Sequence, residues 1–204
     1  GLARKLIEHV VKQYKDSCDG FYLFANLDAL DFYDKCGFSR ETEYQYKVKE
    51  EFCRNRSKGE WFVPVNIADV QMKQKYMDMI RHSAANSSME QINKFGLQMF
   101  YTADMENVYY AKDIDCFIVA ETEENTLLLQ SIICENQVAL SDVLQRVRGE
   151  YHKCQLGFVP DLKDMDMCEA EKYDGSDDYR LFYFGEQLKS IEKEKLYFPK
   201  LSHA

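Results

Sequence analysis

Residues 2–14 carry apolar side chains at Leu2, Ala3, Leu6, Ile7, Val10, Val11 and Tyr14, with Arg4, Lys5, Glu8, Lys12 and Gln13 on the opposite side. Spacing of three and four predicts an amphipathic helix. A polar stretch at 16–20 ends in Gly20 and predicts a turn. The next five residues, 21–25, are apolar without alternation, which predicts a short strand buried on both faces, as in a parallel sheet. Ala29, Leu30, Phe32, Tyr33 and Cys36 then recur at helical spacing, and Gly37, the residue type that most readily takes positive φ, ends that helix. Tyr44, Tyr46 and Val48 alternate with Glu43, Gln45, Lys47 and Lys49, predicting a strand with one wet face.

The stretch 49–60 is dominated by charge and contains one glycine, so the chain is expected to divide there into a first domain at 1–50 and a second at 61–204. In the second block, Val70, Tyr76, Met77 and Ile80 share a face of a helix expected from about Ala68 to His82, and residues 86–88 break it. Apolar runs at 116–120 and 127–133 predict two strands joined by a hairpin loop. Ser141 with Asp142 is placed to cap a helix carrying Val143, Leu144, Val147 and Tyr151. Residues 156–159 predict a strand stopped by Pro160, and 179–184 another after the turn at Asp174 and Gly175. The tail from Phe198 onward is expected to pack. Helices and strands mix throughout, which is α/β in character.

The order N-x-x-A-x-x-F-Y-x-K-x-G-F is satisfied at Asn26, Ala29, Phe32, Tyr33, Lys35, Gly37 and Phe38. It resembles motif B of the GNAT superfamily of acyl-CoA N-acyltransferases. Gly1, Leu2 and Ala3 are similar to the last three positions of the superfamily's R/Q-x-x-G-x-G/A loop, which wraps the cofactor pyrophosphate and opens a helix. Glycine there permits close backbone approach, and the unpaired N–H groups at the helix start attract phosphate. The resemblance implies an α/β (α+β) fold, a mixed β-sheet flanked by helices. It also implies acetyl-CoA as co-substrate, with Gly1, Leu2, Ala3, Arg4, Asn26, Ala29, Phe32, Tyr33 and Lys35 around it.

The implied reaction is direct attack of a primary amine on the thioester in a ternary complex, with Tyr33 as general acid to the CoA thiolate. Read from the residues alone, Tyr33 on a helix also suits aromatic packing. Asn26 either contacts the pantetheine arm or the substrate side of the cleft, or caps the strand end. Lys35 lies near the phosphates or is solvated. Cys36 is read as buried. The second block resembles the same core in outline, but residues 135–140 lack the glycine-bearing loop, so a degenerate, non-binding half is expected. The chain opens at Gly1 already in helical pattern and without methionine, from which an absent upstream part is expected, including the superfamily's strand that polarises the thioester carbonyl.

Composition narrows the partners. Against 26 Lys and Arg stand 35 Asp and Glu, a formal charge of -9, which excludes non-specific nucleic-acid binding and suits a cationic acceptor, either a small-molecule amine or a peptide. No apolar run reaches the roughly 20 residues of a membrane span, so a cytoplasmic protein is expected. The seven cysteines are scattered without a C-x-x-C pair and read as reduced thiols, and the four histidines show no metal-ligand spacing, so no metal site is expected. The second block is expected to shape the acceptor pocket or to mediate formation of a homodimer. The alternative reading is a catalytically inactive GNAT-like module that binds a ligand or a protein.

Overall fold

The computed structural model describes residues 1–53, 59–149, 151–175 and 177–203. In chain order its first elements are α1 (Leu2–Tyr14), β1 (Phe21–Asn26), α2 (Leu30–Lys35), β2 (Ser39–Glu41), β3 (Glu43–Val48) and α3 (Glu50–Cys53). There follow β4 (Val63–Pro64), α4 (Val70–His82), α5 (Phe95–Tyr101), β5 (Val108–Ala111), β6 (Cys116–Glu123) and β7 (Thr126–Ile133). The last are α6 (Leu140–Leu144), β8 (Lys153–Leu156), β9 (Cys168–Tyr173) and β10 (Tyr179–Phe184). Three strands form one sheet in the order β1-β10-β2, and seven form another in the order β4-β5-β6-β7-β8-β3-β9. The pair β7–β8 is parallel, whereas β4–β5, β5–β6, β6–β7 and β3–β8 are antiparallel. The fold is thus α+β, with a seven-stranded mixed sheet flanked by helices. Among the described residues no helix is long and apolar enough to cross a membrane.

Two compact units are present, one of Gly1–Tyr44 with Lys172–Leu196, the other of Gln45–Glu171 with Tyr197–Ala204. This division is discontinuous, whereas the charged stretch 49–60 suggested a single cut. Residues 54–58 of that stretch lie outside the described residues, and α3 just before them buries Cys53. The discontinuity comes from chain placement: β10, late in the chain, takes the centre of the three-stranded sheet between β1 and β2, and the tail from Tyr197 onward belongs again to the second unit.

In the first unit β1 pairs with β10 antiparallel from Phe21↔Phe184 to Asn26↔Tyr179, and β2 pairs with the other edge of β10, from Leu181↔Glu41 to Tyr183↔Ser39. The expectation of a parallel strand buried on both faces is therefore corrected: β1 is an antiparallel edge strand, and only Ala25 in it is buried. Its contacts alternate although its polarity does not. Phe21, Leu23 and Ala25 meet a core built on Ala25, Phe38 and Phe182, while the ring of Phe24 lies 5.0 Å from that of Tyr179 and 6.0 Å from that of Tyr22. α1 forms as its periodicity predicts and contributes Ile7 to this core. The rest of its apolar stripe is less used, since Leu2, Leu6, Val10 and Tyr14 stay exposed.

In the second unit α4 starts at Asp69, whose carboxylate accepts from Met72 N–H at 3.0 Å. Its buried face is Tyr76, Met79 and Ile80; Val70 is 77% exposed, so the face is rotated from the one expected. The Tyr76 ring packs 5.2 Å from Phe117, and its hydroxyl donates to Thr102 Oγ1 at 3.1 Å and accepts from Gln98 Nε2 at 3.2 Å. Those bonds account for a buried glutamine on α5, a helix the sequence pattern did not reveal. The hairpin of β6 and β7 closes tightly, with Glu123 opposite Thr126 and Glu124 at φ 52° in its turn.

Ser141 is not a cap: Ala139 is the N-cap residue of α6, and the Leu140 N–H bonds Asp164 Oδ2 at 3.2 Å. Val147 and Tyr151, expected on the same helix, are buried beyond its end. The strand expected at 156–159 is β8, which starts three residues earlier and stops at Leu156, because its pairing with β7 runs from Thr126↔Lys153 to Leu129↔Leu156. Gly157 N–H then bonds Leu129 O at 2.8 Å, and its carbonyl accepts from Lys200 N–H at 2.7 Å. A Cβ there would lie 2.9 Å from Gln130 Cα and 3.0 Å from Lys200 Cβ, so glycine is what admits the C-terminal tail. That tail packs as expected, burying Tyr197, Phe198 and Leu201.

Two outcomes follow from this packing. Phe182→Ala removes a fully buried ring from the small core and is expected to cost about 3–5 kcal/mol, read as a lowered urea midpoint. Burial, helped by the charge of Lys200, pushes the His203 imidazole down to about 4. An unfolded histidine takes its proton near pH 6.5, so between roughly 6.5 and 4 the unfolded chain binds more protons and stability falls as pH drops, by about 3 kcal/mol in total. Urea midpoints at pH 7 and pH 4.5 should fall further for the native chain than for His203→Gln; equal losses would mean that His203 does not set this dependence.

Candidate functional site

The N-terminal end of α1 is the first part of the site suggested by the sequence. Gly1 is its N-cap residue, no side chain caps it, and its first turn holds no acidic residue. Lys5 N–H bonds Gly1 O at 3.4 Å, which leaves the N–H groups of Leu2, Ala3 and Arg4 without helical acceptors. All four residues are exposed. Arg4 brings a guanidinium to the same turn, paired with Glu8 at 2.9 Å. Backbone donors, the helix dipole and a guanidinium are the kind of chemistry that an anionic group such as a phosphate meets at a helix start.

The second part is the segment from Asn26 to Phe38. Asn26 ends β1 with φ -58° and ψ 150°, followed by one 3-10 turn (Leu27–Ala29) and then α2. Its side chain is exposed and makes no cap bond. α2 stops as its glycine predicts: Gly37 sits at φ 88°, its N–H bonds Asp34 O at 3.1 Å, and Phe38 N–H bonds Tyr33 O at 3.2 Å. These two bonds make a Schellman motif, which needs a left-handed residue at Gly37. Ala29 and Phe32 are half-buried, and Lys35 is exposed.

Tyr33 is half-buried against the first unit's core. Its ring lies 5.1 Å from Phe32, 5.7 Å from Phe182 and 6.2 Å from Phe38, all within the range of favourable aromatic pairing. Among the described residues its hydroxyl has no hydrogen-bond partner. Cys36 packs against the same core. The structure therefore gathers Ile7, Ala25, Leu30, Tyr33, Cys36 and Phe38 around Phe182, while Gly1, Leu2, Ala3, Arg4, Asn26 and Lys35 stay on exposed surface. Two neighbours of the motif were missed by sequence reasoning. Phe182 was visible only as part of a strand, and Arg40 carried no signal; its guanidinium pairs with Asp34 and lies 5.6 Å over the Phe182 ring. Among the described residues no group of three or more His, Cys, Asp or Glu side chains is arranged to hold a metal ion.

No family model and no curated protein matches the chain. Among solved structures it is similar to a conserved protein of unknown function from Enterococcus faecalis V583, named a probable N-acyltransferase, at 12% identity and TM-score 0.49, covering 93% of this chain and 50% of that one. It is likewise similar to a GCN5-related N-acetyltransferase from Kribbella flavida, at 12% identity and TM-score 0.48, covering 89% and 46%. A third is Eis1 from Mycobacterium abscessus, at 11% identity and TM-score 0.48, covering 89% and 52%. The chain thus spans about half the length of these three solved structures.

Proposed function

We propose that this chain carries part of an acetyl-CoA-dependent N-acetyltransferase acting on a primary amine. The observation that supports the reading is the order α1, β1, Asn26, α2, with Gly1, Leu2, Ala3 and Arg4 at the start of α1 and a Gly37-closed helix that carries Tyr33 one turn before its end. Gly1, Leu2, Ala3 and Arg4 would hold the pyrophosphate, Asn26, Ala29 and Phe32 would line the pantetheine arm, and Lys35 would face the phosphates. Acetyl-CoA supplies the activated acetyl thioester. Tyr33 would hold a phenolic proton at its hydroxyl and give it to the leaving sulfur as the amine nitrogen takes the acetyl carbon. The charge of -9 favours a cationic acceptor, a small molecule or a peptide.

The second block fits a degenerate counterpart of the same core. At α6 the position where an anion would meet the helix start is taken by the chain's own Asp164, bonded to Leu140 N–H, and Asp142 adds a second carboxylate to that turn. A second reading, an inactive GNAT-like binding module, is favoured by one observation, the packing of Tyr33 among three aromatic rings with no partner for its hydroxyl among the described residues.

Calorimetric titration of the protein with acetyl-CoA is expected to show binding at micromolar to roughly millimolar ligand; absence of heat over that range would sink the enzyme reading. Tyr33→Phe, which removes only a hydroxyl, is expected to lower kcat by about 10²–10⁴-fold with acetyl-CoA affinity nearly unchanged. If acetyl-CoA binds and kcat does not move, Tyr33 is a packing residue only.

A further inference from the structure

Cys116 opens β6, and Cys134 directly follows the last residue of β7. The register Phe117↔Ile133 places the two cysteines opposite one another at the open end of the hairpin. Opposite residues in an antiparallel ladder have Cα atoms about 4.5–5.5 Å apart, inside the roughly 4.4–6.8 Å span that a disulfide bridges. Both side chains are buried. No other pair of the chain's described cysteines faces across a strand pair in this way.

The surroundings of the two sulfurs differ. Asn86 Nδ2 donates to Cys134 Sγ at 3.2 Å, and Asn86 is itself held by Val138 N–H, which bonds its Oδ1 at 3.2 Å. Ala84 N–H bonds the Cys134 carbonyl at 2.8 Å, so the segment after α4 is fastened to this end of β7. The ammonium of Lys94, bonded to Glu90 at 3.2 Å, adds positive charge near Cys134. Cys116 Sγ instead lies against a carbonyl, that of Phe117 at 3.3 Å. Asn86, Ser87 and Glu90 line a cavity of about 20 Å³, enough for one small polar molecule, and Glu90 and Lys94 line another of about 550 Å³.

We propose that Cys116 and Cys134 are a peroxide-responsive dithiol that closes reversibly into a cross-strand disulfide. Cys134 attacks one oxygen of hydrogen peroxide; the O–O bond breaks, the sulfur becomes a sulfenic acid, and the departing hydroxide leaves as water with the thiol proton. The Cys116 sulfur then displaces the sulfenic hydroxyl, which leaves as a second water with the Cys116 proton as the S–S bond forms. Two thiols and one peroxide give one disulfide and two waters, the sulfurs losing the two electrons that the peroxide gains. Cys134 is the attacking sulfur because its anion is the stabilised one. The neighbouring Cys116, then Asn86, which donates to its sulfur at 3.2 Å, and Lys94 hold its thiol below the ordinary value, whereas the neighbouring Cys134 and burial push Cys116 up. Burial likewise pushes up Cys154, and Cys168 to about 12, which leaves those thiols protonated and slow.

The test is peptide mapping of the protein after treatment with dilute hydrogen peroxide, alkylation and digestion without reductant. The expected product is a peptide pair joined through Cys116 and Cys134, lighter by two hydrogens and separated by dithiothreitol, with Cys53 and Cys154 still alkylated. Recovery of Cys116 and Cys134 as alkylated thiols after the exposed Cys18 has oxidised would overturn the proposal, as would Cys134 joined to another cysteine. In Cys116→Ala a dimedone adduct is expected on Cys134, and its absence beside a Cys18 adduct would remove Cys134 as the attacking sulfur. Asn86→Ala is expected to slow closure several-fold without changing the oxidation of Cys18; an unchanged closure rate would show that Asn86 does not position the thiol.

Discussion

The small sheet depends on one strand that its own neighbourhood in the sequence does not supply. β1 and β2 flank α2 closely along the chain, yet they share no ladder; each bonds an opposite edge of β10. Without β10, the inward-facing backbone groups of both strands would lack partners, and Phe182 would leave an open space beside Ala25 and Phe38. The motif carrying Asn26 and Tyr33 is therefore held by residues 179–184. Ordering it requires closing a long stretch of chain, a cost that grows only slowly with length but delays the contact in time.

The large sheet meets a different constraint at its one parallel pair. β7 runs on through Ile133 after its pairing with β8 stops at Leu129↔Leu156, so the two strands separate beyond that rung. The C-terminal tail covers the bend after β8, with Lys200 N–H on Gly157 O, and Asp164 satisfies the start of the helix that follows β7. At these two points the backbone groups are bonded within the chain itself.

What the sequence disclosed divides along the same line. α1, α2 with its Gly37 stop, the β6–β7 hairpin and β10 rest on signals within a few residues, and those elements form where their patterns put them. β4 is two residues long and β9 alternates without apolar weight, so neither carries a local signature. The cap of α6 comes from Asp164, well downstream, and the neighbours of β1 and β10 are set by tertiary pairing that periodicity does not encode. For the candidate site, the placement of Asn26 at a strand end and the Schellman closure at Gly37 were legible, because both are local backbone chemistry. The ring of Phe182 beside Tyr33 was not, since nothing near Tyr33 in sequence announces it.

The placement of β3 and β10 also bears on how such a chain is inherited. A contiguous gene segment covering β1, α2 and β2 would leave behind the strand that completes their sheet, and a segment covering β4 to β9 would leave behind the strand that lies between β8 and β9. A segment that starts at β3, however, carries all seven strands of the large sheet, because β3 to β9 follow one another in the chain; the small sheet is the one that no single contiguous segment can carry without the large one.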